Sequence, residues 1–448
     1  MRIKALSLAA VSSEVAALRP PESSSQEVAD VVAGLLADVR ARGDAAVVEA
    51  TARLDWEGVS AAALPVTADD IEAAYREADP QLVAALQTAR DNSVFFHRHE
   101  LMPDWEDEGA QGQRLGIRHL PVACAGLYVP GGSGSYASTV IMNAVPALVA
   151  GVKELIVCTP PGRDGNVNPS VLAAVRLMGI RRVFRVGGAQ AIAAMAYGTE
   201  TIPRVDVICG PGNAYVMEAK RQAYGAVGID SLAGPSEVLV VADRTAHPAW
   251  IAADMLAQEE HGSGAQAVLM AESQDLCVEV EDSVRRLREA RAPVADAGAD
   301  EPAGVGGPVA ADAGEPRLWA FYPAAGEDFL GLAAAVVDSY APEHLEIQVA
   351  DARGFVRRVH SAGAIFIGHG TPTAFGDYIA GSNHVLPTGG SARFSSPLSV
   401  DTFMRKSSFV EMPPEAVKAL TPHLAKVADS EGFAFHRISA ELRAAGTD

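Results

Sequence analysis

At 448 residues the chain exceeds one ordinary domain, and 49% hydrophobic with 21% charged residues is the balance of a globular protein with a large core. A formal charge of −20 argues against nucleic acid or an anionic membrane surface as partner, since both need basic patches. The four cysteines (Cys124, Cys158, Cys209, Cys277) form no CxxC pair, which argues against a thiolate zinc site and a disulfide framework. No run approaches the ~18 apolar residues of a membrane span. The short apolar start is broken by Ser12, Ser13 and Glu14 and is not read as a signal peptide, so a cytoplasmic protein is expected.

In chain order, a loop at Pro20–Ser25 leads to an amphipathic helix with Val28, Val31, Val32, Leu35, Leu36 and Val39 at helical spacing. More helix is expected over 68–100, ending in Phe95-Phe96-His97-Arg98-His99, where both histidines are assigned to the surface. From Gly126 the texture changes. Strands Leu127–Val129, Leu155–Cys158, Val183–Val186 and Val205–Cys209 alternate with helices Val140–Val152, Pro169–Met178, Ala189–Tyr197 and Asn213–Tyr224. That alternation predicts a mostly parallel sheet covered on both faces. Glycines follow the strands at Pro130-Gly131-Gly132, Gly187-Gly188 and Gly210-Pro211-Gly212-Asn213. Glycine there lets backbone approach a phosphate, and the next helix N-terminus favours the negative charge. None is a GxGxxG with an acidic residue about 20 positions on, so a simple tight turn remains equally open.

Strands are expected at 237–243 and 266–270, flanking a helix opened by Pro248. On that helix Gln258 and His261 share a face, with Asp254 a turn behind, enough for half of a divalent-metal site. A histidine at a helix C-terminus also has a purely electrostatic explanation. Residues 291–316, rich in Ala, Gly, Pro and Asp, suit an extended insertion. Apolar runs return at 345–349 and 364–367, and the final stretch suits an extended tail with helices.

Polar residues concentrate in four loop clusters: Ala233–Glu237, Ala341–Glu346, Phe375–Tyr378 with Gly381–His384, and Glu431–His436. Glu343-His344 sets an acid beside a base, able to divide proton transfer, or forms a solvated turn. Asp377 suits a carboxylate held toward a cavity or a surface turn. His436 with Glu431 suits a ligand with a carboxylate or a polar patch.

Together these stretches resemble the histidinol dehydrogenase family, zinc- and NAD-dependent enzymes of the last steps of histidine biosynthesis. The resemblance runs through Gly126–Gly132, Met142–Pro146, Val186–Ile192, Gly210–Val216, Ile229–Val238, Pro342–Ile347, Gly381–Thr388 and Ala392–Ser396. It implies two NAD-dependent oxidations of L-histidinol, through the aldehyde to L-histidine. It implies one zinc per subunit on Gln258, His261, Asp377 and His436, with NAD at Tyr128, Gln190 and Asn213. His344 is implied as general base and Glu343 as the residue that activates water. Ser236, Gln258, His261, His344, Asp377, His384, Glu431 and His436 are implied to hold substrate. A homodimer is implied in which the C-terminal tail completes the partner's site.

The expected architecture is α/β, with two Rossmann-like parallel-sheet lobes, an incomplete dinucleotide fold and a small extended or helical C-terminal tail. The divisions expected are an N-terminal arm 1–20, a first lobe from 21–125 and 237–380, a second lobe 126–236 carrying the NAD turns, and a tail 381–448. Ala137 stands where the family usually has proline and Glu259 where it usually has alanine. The alternative is a zinc- and NAD-dependent paralogue acting on another amino alcohol or polyol, since fold and machinery alone do not fix a substrate. A zinc hydrolase would leave the NAD positions idle, and a non-catalytic binding protein would not need Glu343 and His344.

Overall fold

Apolar runs such as Val238-Leu239-Val240-Val241 and Ile156-Val157-Cys158 form the centres of two parallel sheets, buried on both faces and so lacking polar alternation. The computed structural model describes residues 1–19, 26–131, 136–262, 264–290 and 318–446. The loop expected at Pro20–Ser25, the Gly132–Ser135 part of the first glycine turn, Ser263 and the 291–316 insertion lie outside them.

The larger sheet has six strands in the order Arg2–Leu6, Leu318–Pro323, Gln266–Ala271, Glu237–Ala242, His344–Gln348, Ala364–Ile367, all parallel. The smaller has five, also parallel: Arg182–Arg185, Glu154–Thr159, Cys124–Tyr128, Val207–Cys209, Gly228–Ile229. The α/β class and the two parallel-sheet lobes match the expectation. An antiparallel sheet of Met404–Glu411, Arg114–Pro121 and Trp105–Glu108 joins the tail to the body, and sequence patterning did not reveal it.

Two placements differ from the sequence expectation. Helices Gln26–Arg42 and Asp44–Leu54 bury Val32, Leu36, Val39 and Val47 with Ile156, Cys158 and Ile192. Helices Ala68–Glu77 and Pro80–Arg98 bury Ile71 and Leu86 with Val140 and Val171. Residues 26–98 therefore clothe the five-stranded sheet, not the sheet of 237–380: an apolar stripe specifies burial but not which sheet it meets. Nor is 1–20 a free arm. Arg2–Leu6 is a strand, and helix Val11–Leu18 packs Val11, Val15 and Leu18 with Val336 and Tyr340.

In the tail, helices Pro414–Ser430 and Ala434–Ala445 pack on each other, leaving Val427, Phe435 and Leu442 exposed. Among the described residues no helix is long and apolar enough to cross a membrane.

Candidate active site

The two sheets meet at unlike ends. A cavity of about 1740 Å³ is lined by Tyr128, Gln190 and Asn213, which follow or end strands of the five-stranded sheet. Across it stand Ser236, Glu343 and His344, which precede or begin strands of the six-stranded sheet. The rule that ligands bind beyond carboxyl ends of strands holds for the first sheet only. On the second, the amino ends face the cavity, and so do the C-terminal ends of the helices that return to them. Helix N-termini on one wall favour anions, and helix C-termini on the other favour cations.

Helix Phe329–Tyr340 ends at Ala341, whose φ of 44° is left-handed, an unfavourable state for a residue with a Cβ. This turn delivers Pro342-Glu343 to the cavity. A Cβ at Gly363 would lie 2.6 Å from the Glu343 carbonyl oxygen, so the next strand can pass only as glycine. Glu343 Oε2 accepts from Ser236 Oγ at 2.6 Å and from the Glu237 N–H at 2.9 Å. His344 Nδ1 lies 3.1 Å from the Glu237 carbonyl oxygen, an acceptor only, so the proton belongs on Nδ1 and Nε2 faces outward. That Nε2 is 3.4 Å from Asp377 Oδ1, aligned as an ion pair but not as a hydrogen bond, and Nδ1 is 3.5 Å from Glu343 Oε2. Burial opposes charge on the ring, but the two carboxylates outweigh it and hold His344 well above the ordinary histidine range. Burial likewise pushes Asp377 up, yet His344, His384 and His261 bring it below its usual value. His384 Nδ1 faces the Asp377 carbonyl oxygen at 2.8 Å, and burial lowers its pKa.

The ligand face drawn on the helix from Pro248 needs correction. That helix ends at Glu259, so His261 sits in the turn beyond it, exposed and lining the cavity. Gln258 is buried, does not line the cavity, and its Nε2 has no partner. Asp254 turns away to Gln348. Asp377, expected in a loop, lies in the helix Thr373–Tyr378. Glu431 and His436 are exposed on the tail and do not line this cavity. His97 is wholly buried, not on the surface: its ring bridges Glu100 and Asn383, the neighbour of His384.

The glycine turns also differ from expectation. The Gly210 N–H is taken by Asp230 Oδ2 at 2.8 Å, and Asp230 is paired with the buried Lys220. Asp55 accepts from Gln190 Nε2 at 3.3 Å, with the Gly187 N–H favouring its charged form, while Tyr128 Oη accepts from the Gly188 N–H at 3.0 Å. These donors serve internal acceptors, and Asn213 Oδ1 caps helix Ala214–Ala223. Asp55 and Lys220 lay unmarked in the sequence, because neither belongs to a local motif.

A model of the histidinol dehydrogenase family matches residues 18–301 and 328–444. The chain is 46% identical over 423 residues to the histidinol dehydrogenase of Thermosynechococcus vestitus, covering 94% of each. It is 44% identical over 447 residues to that of Rhodospirillum rubrum, covering 99% of this chain and 98% of the relative. The chain belongs to the histidinol dehydrogenase family. A solved histidinol dehydrogenase from Elizabethkingia anophelis superposes with a TM-score of 0.87 at 31% identity, covering 99% of this chain and 98% of that one.

As a histidinol dehydrogenase family member, the chain can be tested for the metal that membership implies. Among the described residues no group of three or more His, Cys, Asp or Glu side chains is arranged to hold a metal ion. The donor chemistry nonetheless fits zinc in part. His261 and Asp377 are close enough to interact, and imidazole nitrogen with carboxylate oxygen suits a borderline cation. The cysteines stand apart: Cys124 and Cys209 do not line the cavity, and burial, with nearby carboxylates, pushes Cys124 up to about 11 and Cys209 well above its usual value.

Proposed function

We propose that this protein is a cytoplasmic NAD-dependent enzyme that oxidises L-histidinol twice, through L-histidinaldehyde, to L-histidine. The observation that carries this reading is His344, held between Glu343 and Asp377 in a cavity shared with Tyr128, Gln190 and Asn213. Bound NAD, at those three residues, supplies the hydride acceptor for each oxidation. Bound zinc, one per subunit on Gln258, His261 and Asp377 with His436 of a second subunit, supplies an anchor for the amino alcohol.

The chain's own residues account for the protons. With Nδ1 tied to the Glu237 carbonyl, His344 Nε2 is the atom that takes the hydroxyl proton as the alcohol becomes aldehyde. An ammonium group on the substrate competes with His344 for the Asp377 carboxylate, which frees Nε2 for that task. Glu343 Oε2 is committed to Ser236 and the Glu237 N–H, so Oε1 is left to take a proton from the water that adds to the aldehyde. His344 then accepts the proton of the hydrate in the second oxidation. Ser236 and His384 hold the substrate from the same wall.

Glu431 and His436, remote from their own cavity, complete that of the other subunit in a homodimer. The exposed apolar residues Val427, Phe435 and Leu442 of the tail hairpin support this arrangement.

The experiment is NADH formation from L-histidinol by zinc-loaded protein. About two NADH per histidinol, abolished by a chelator and restored by zinc, is the expected result. No NADH while NAD and zinc still bind would overturn histidinol as the substrate.

A further inference from the structure

Behind His344, the same face of strand His344–Gln348 carries Glu346 and Gln348, because alternate strand residues share a face. Both are buried. Gln348 Nε2 donates to Glu346 Oε2 at 3.1 Å and to Asp254 Oδ2 at 3.2 Å. One amide thus grips a carboxyl from the strand and another from helix Pro248–Glu259. The two carboxyls thus meet on one amide nitrogen, close enough for each to act on the other's charge. A single amide hydrogen-bond donor cannot offset two negative charges, and two carboxylates have no donor of their own, so a proton between them is what relieves the pair. Glu346 Oε1 accepts from the Thr373 N–H at 2.9 Å, at the start of helix Thr373–Tyr378. Gln258 lies one turn beyond Asp254, and Asp377 one turn beyond Thr373. Asp254, Glu346, Gln348 and Thr373 are all outside the cavity lining.

We propose that Asp254 and Glu346 share one proton, and that the protonated pair, with Gln348, is a positioning device pinning helices Pro248–Glu259 and Thr373–Tyr378 to the strand of His344. Its value to catalysis rests on the reading of Gln258, His261 and Asp377 as metal ligands; its existence does not. Two buried carboxyls gripped by one amide nitrogen cannot both ionise without repelling the elements that carry them. Burial, then the neighbouring Asp254, pushes Glu346 up to about 8, and burial raises Asp254 as well. The groups facing the pair are Gln348 and the Thr373 N–H, both neutral, with His344 two residues back on the same strand.

The sign of the pH effect follows. Glu346 folded keeps its proton to about 8, against an ordinary value of 4.5, so its contribution to stability is full below 4.5 and lost as pH rises to about 8. Glu346→Gln keeps an acceptor for the Thr373 N–H and a donor toward Asp254, gives up the bond accepted from Gln348, and has no proton to lose. Metal-free full-length protein should therefore show a melting gap between E346Q and wild type that widens across that interval and then levels. Hydrogen–deuterium exchange near neutral pH provides the positional readout. Glu346→Ala should exchange about tenfold faster in segments 248–259 and 373–378, while E346Q stays at the wild-type rate. A pH-independent gap, unchanged exchange in E346A, or equal exchange in E346A and E346Q would overturn the proposal. If E346A does not fold, the E346Q melting series decides. Failure of the metal reading would appear separately, as wild-type protein that binds no zinc.

Discussion

Ser236 Oγ donates to Glu343 Oε2 at 2.6 Å, joining the loop before one central strand to the turn before its neighbour. The bond fixes which carboxylate oxygen remains for water. A hydrogen bond to a charged group contributes about 1.5–3 kcal/mol, so Ser236→Ala should slow aldehyde oxidation roughly ten- to a hundredfold. Alcohol oxidation should fall less. Separate rates with L-histidinol and L-histidinaldehyde make the comparison, and equal losses would assign Ser236 to substrate binding alone.

Lys220 and Asp230 have side chains only 1% and 3% exposed, and they fix the Gly210 turn on the cavity wall built by the five-stranded sheet. Lys220→Met strands a buried carboxylate and should cost about 3–5 kcal/mol in denaturant unfolding. Adding Asp230→Asn removes that charge and keeps an acceptor for Gly210, so the double variant should recover most of the loss. A double variant no more stable than K220M would show that the ammonium's own hydrogen bond to the Gly210 carbonyl dominates.

Asp55 lines the cavity beside Gln190, and burial lifts it from 3.8 to about 6 despite the Gly187 N–H. A raised folded value means stability present below the ordinary value and lost as pH climbs to about 6. Asp55→Asn should gain on wild type through this window and hold a constant lead above it. Chemical denaturation over a pH series reads this directly; a lead independent of pH would mean the carboxyl is not desolvated.

The shared-site reading makes a mixing prediction. Glu343→Gln and His436→Asn should each be inactive as homodimers. Dissociated, mixed equally and reassociated, they should regain about a quarter of wild-type activity, because half the dimers are hybrids with one intact site. No recovery despite hybrid formation would place His436 outside the partner's cavity.

Where signals were local, the sequence was legible. Pro248 opens its helix, Asn213 stands at the start of helix Ala214–Ala223, and the strands around Ile156 and Val240 lie within a residue or two of their expected places. The cavity likewise gathers Tyr128, Gln190, Asn213, Ser236, His261, Glu343, His344, Asp377 and His384, drawn from segments far apart. What escaped notice depends on partners distant in sequence. His97 sits in an aromatic and basic cluster whose local look is surface, yet Asn383 encloses it. Asp254 resembled a third donor on a metal face, but Gln348 on a strand turns it elsewhere. The loss of helix at Glu259 follows from the left-handed Gly262, with φ of 93°, which spacing alone had overridden.

Strand Arg2–Leu6 pairs Arg2 with Trp319 at the far edge of the six-stranded sheet. During synthesis it emerges long before Leu318–Pro323 exists, so it waits unpaired through most of translation. The five strands between Cys124 and Ile229 face no such delay and can assemble while the ribosome is still at work. The nascent chain thus holds a paired five-stranded sheet beside an open apolar edge that includes Leu6 and, from the following helix, Val11, Val15 and Leu18. That interval is where a chaperone has most to shield, and where slow elongation ahead of residue 318 would most reduce yield.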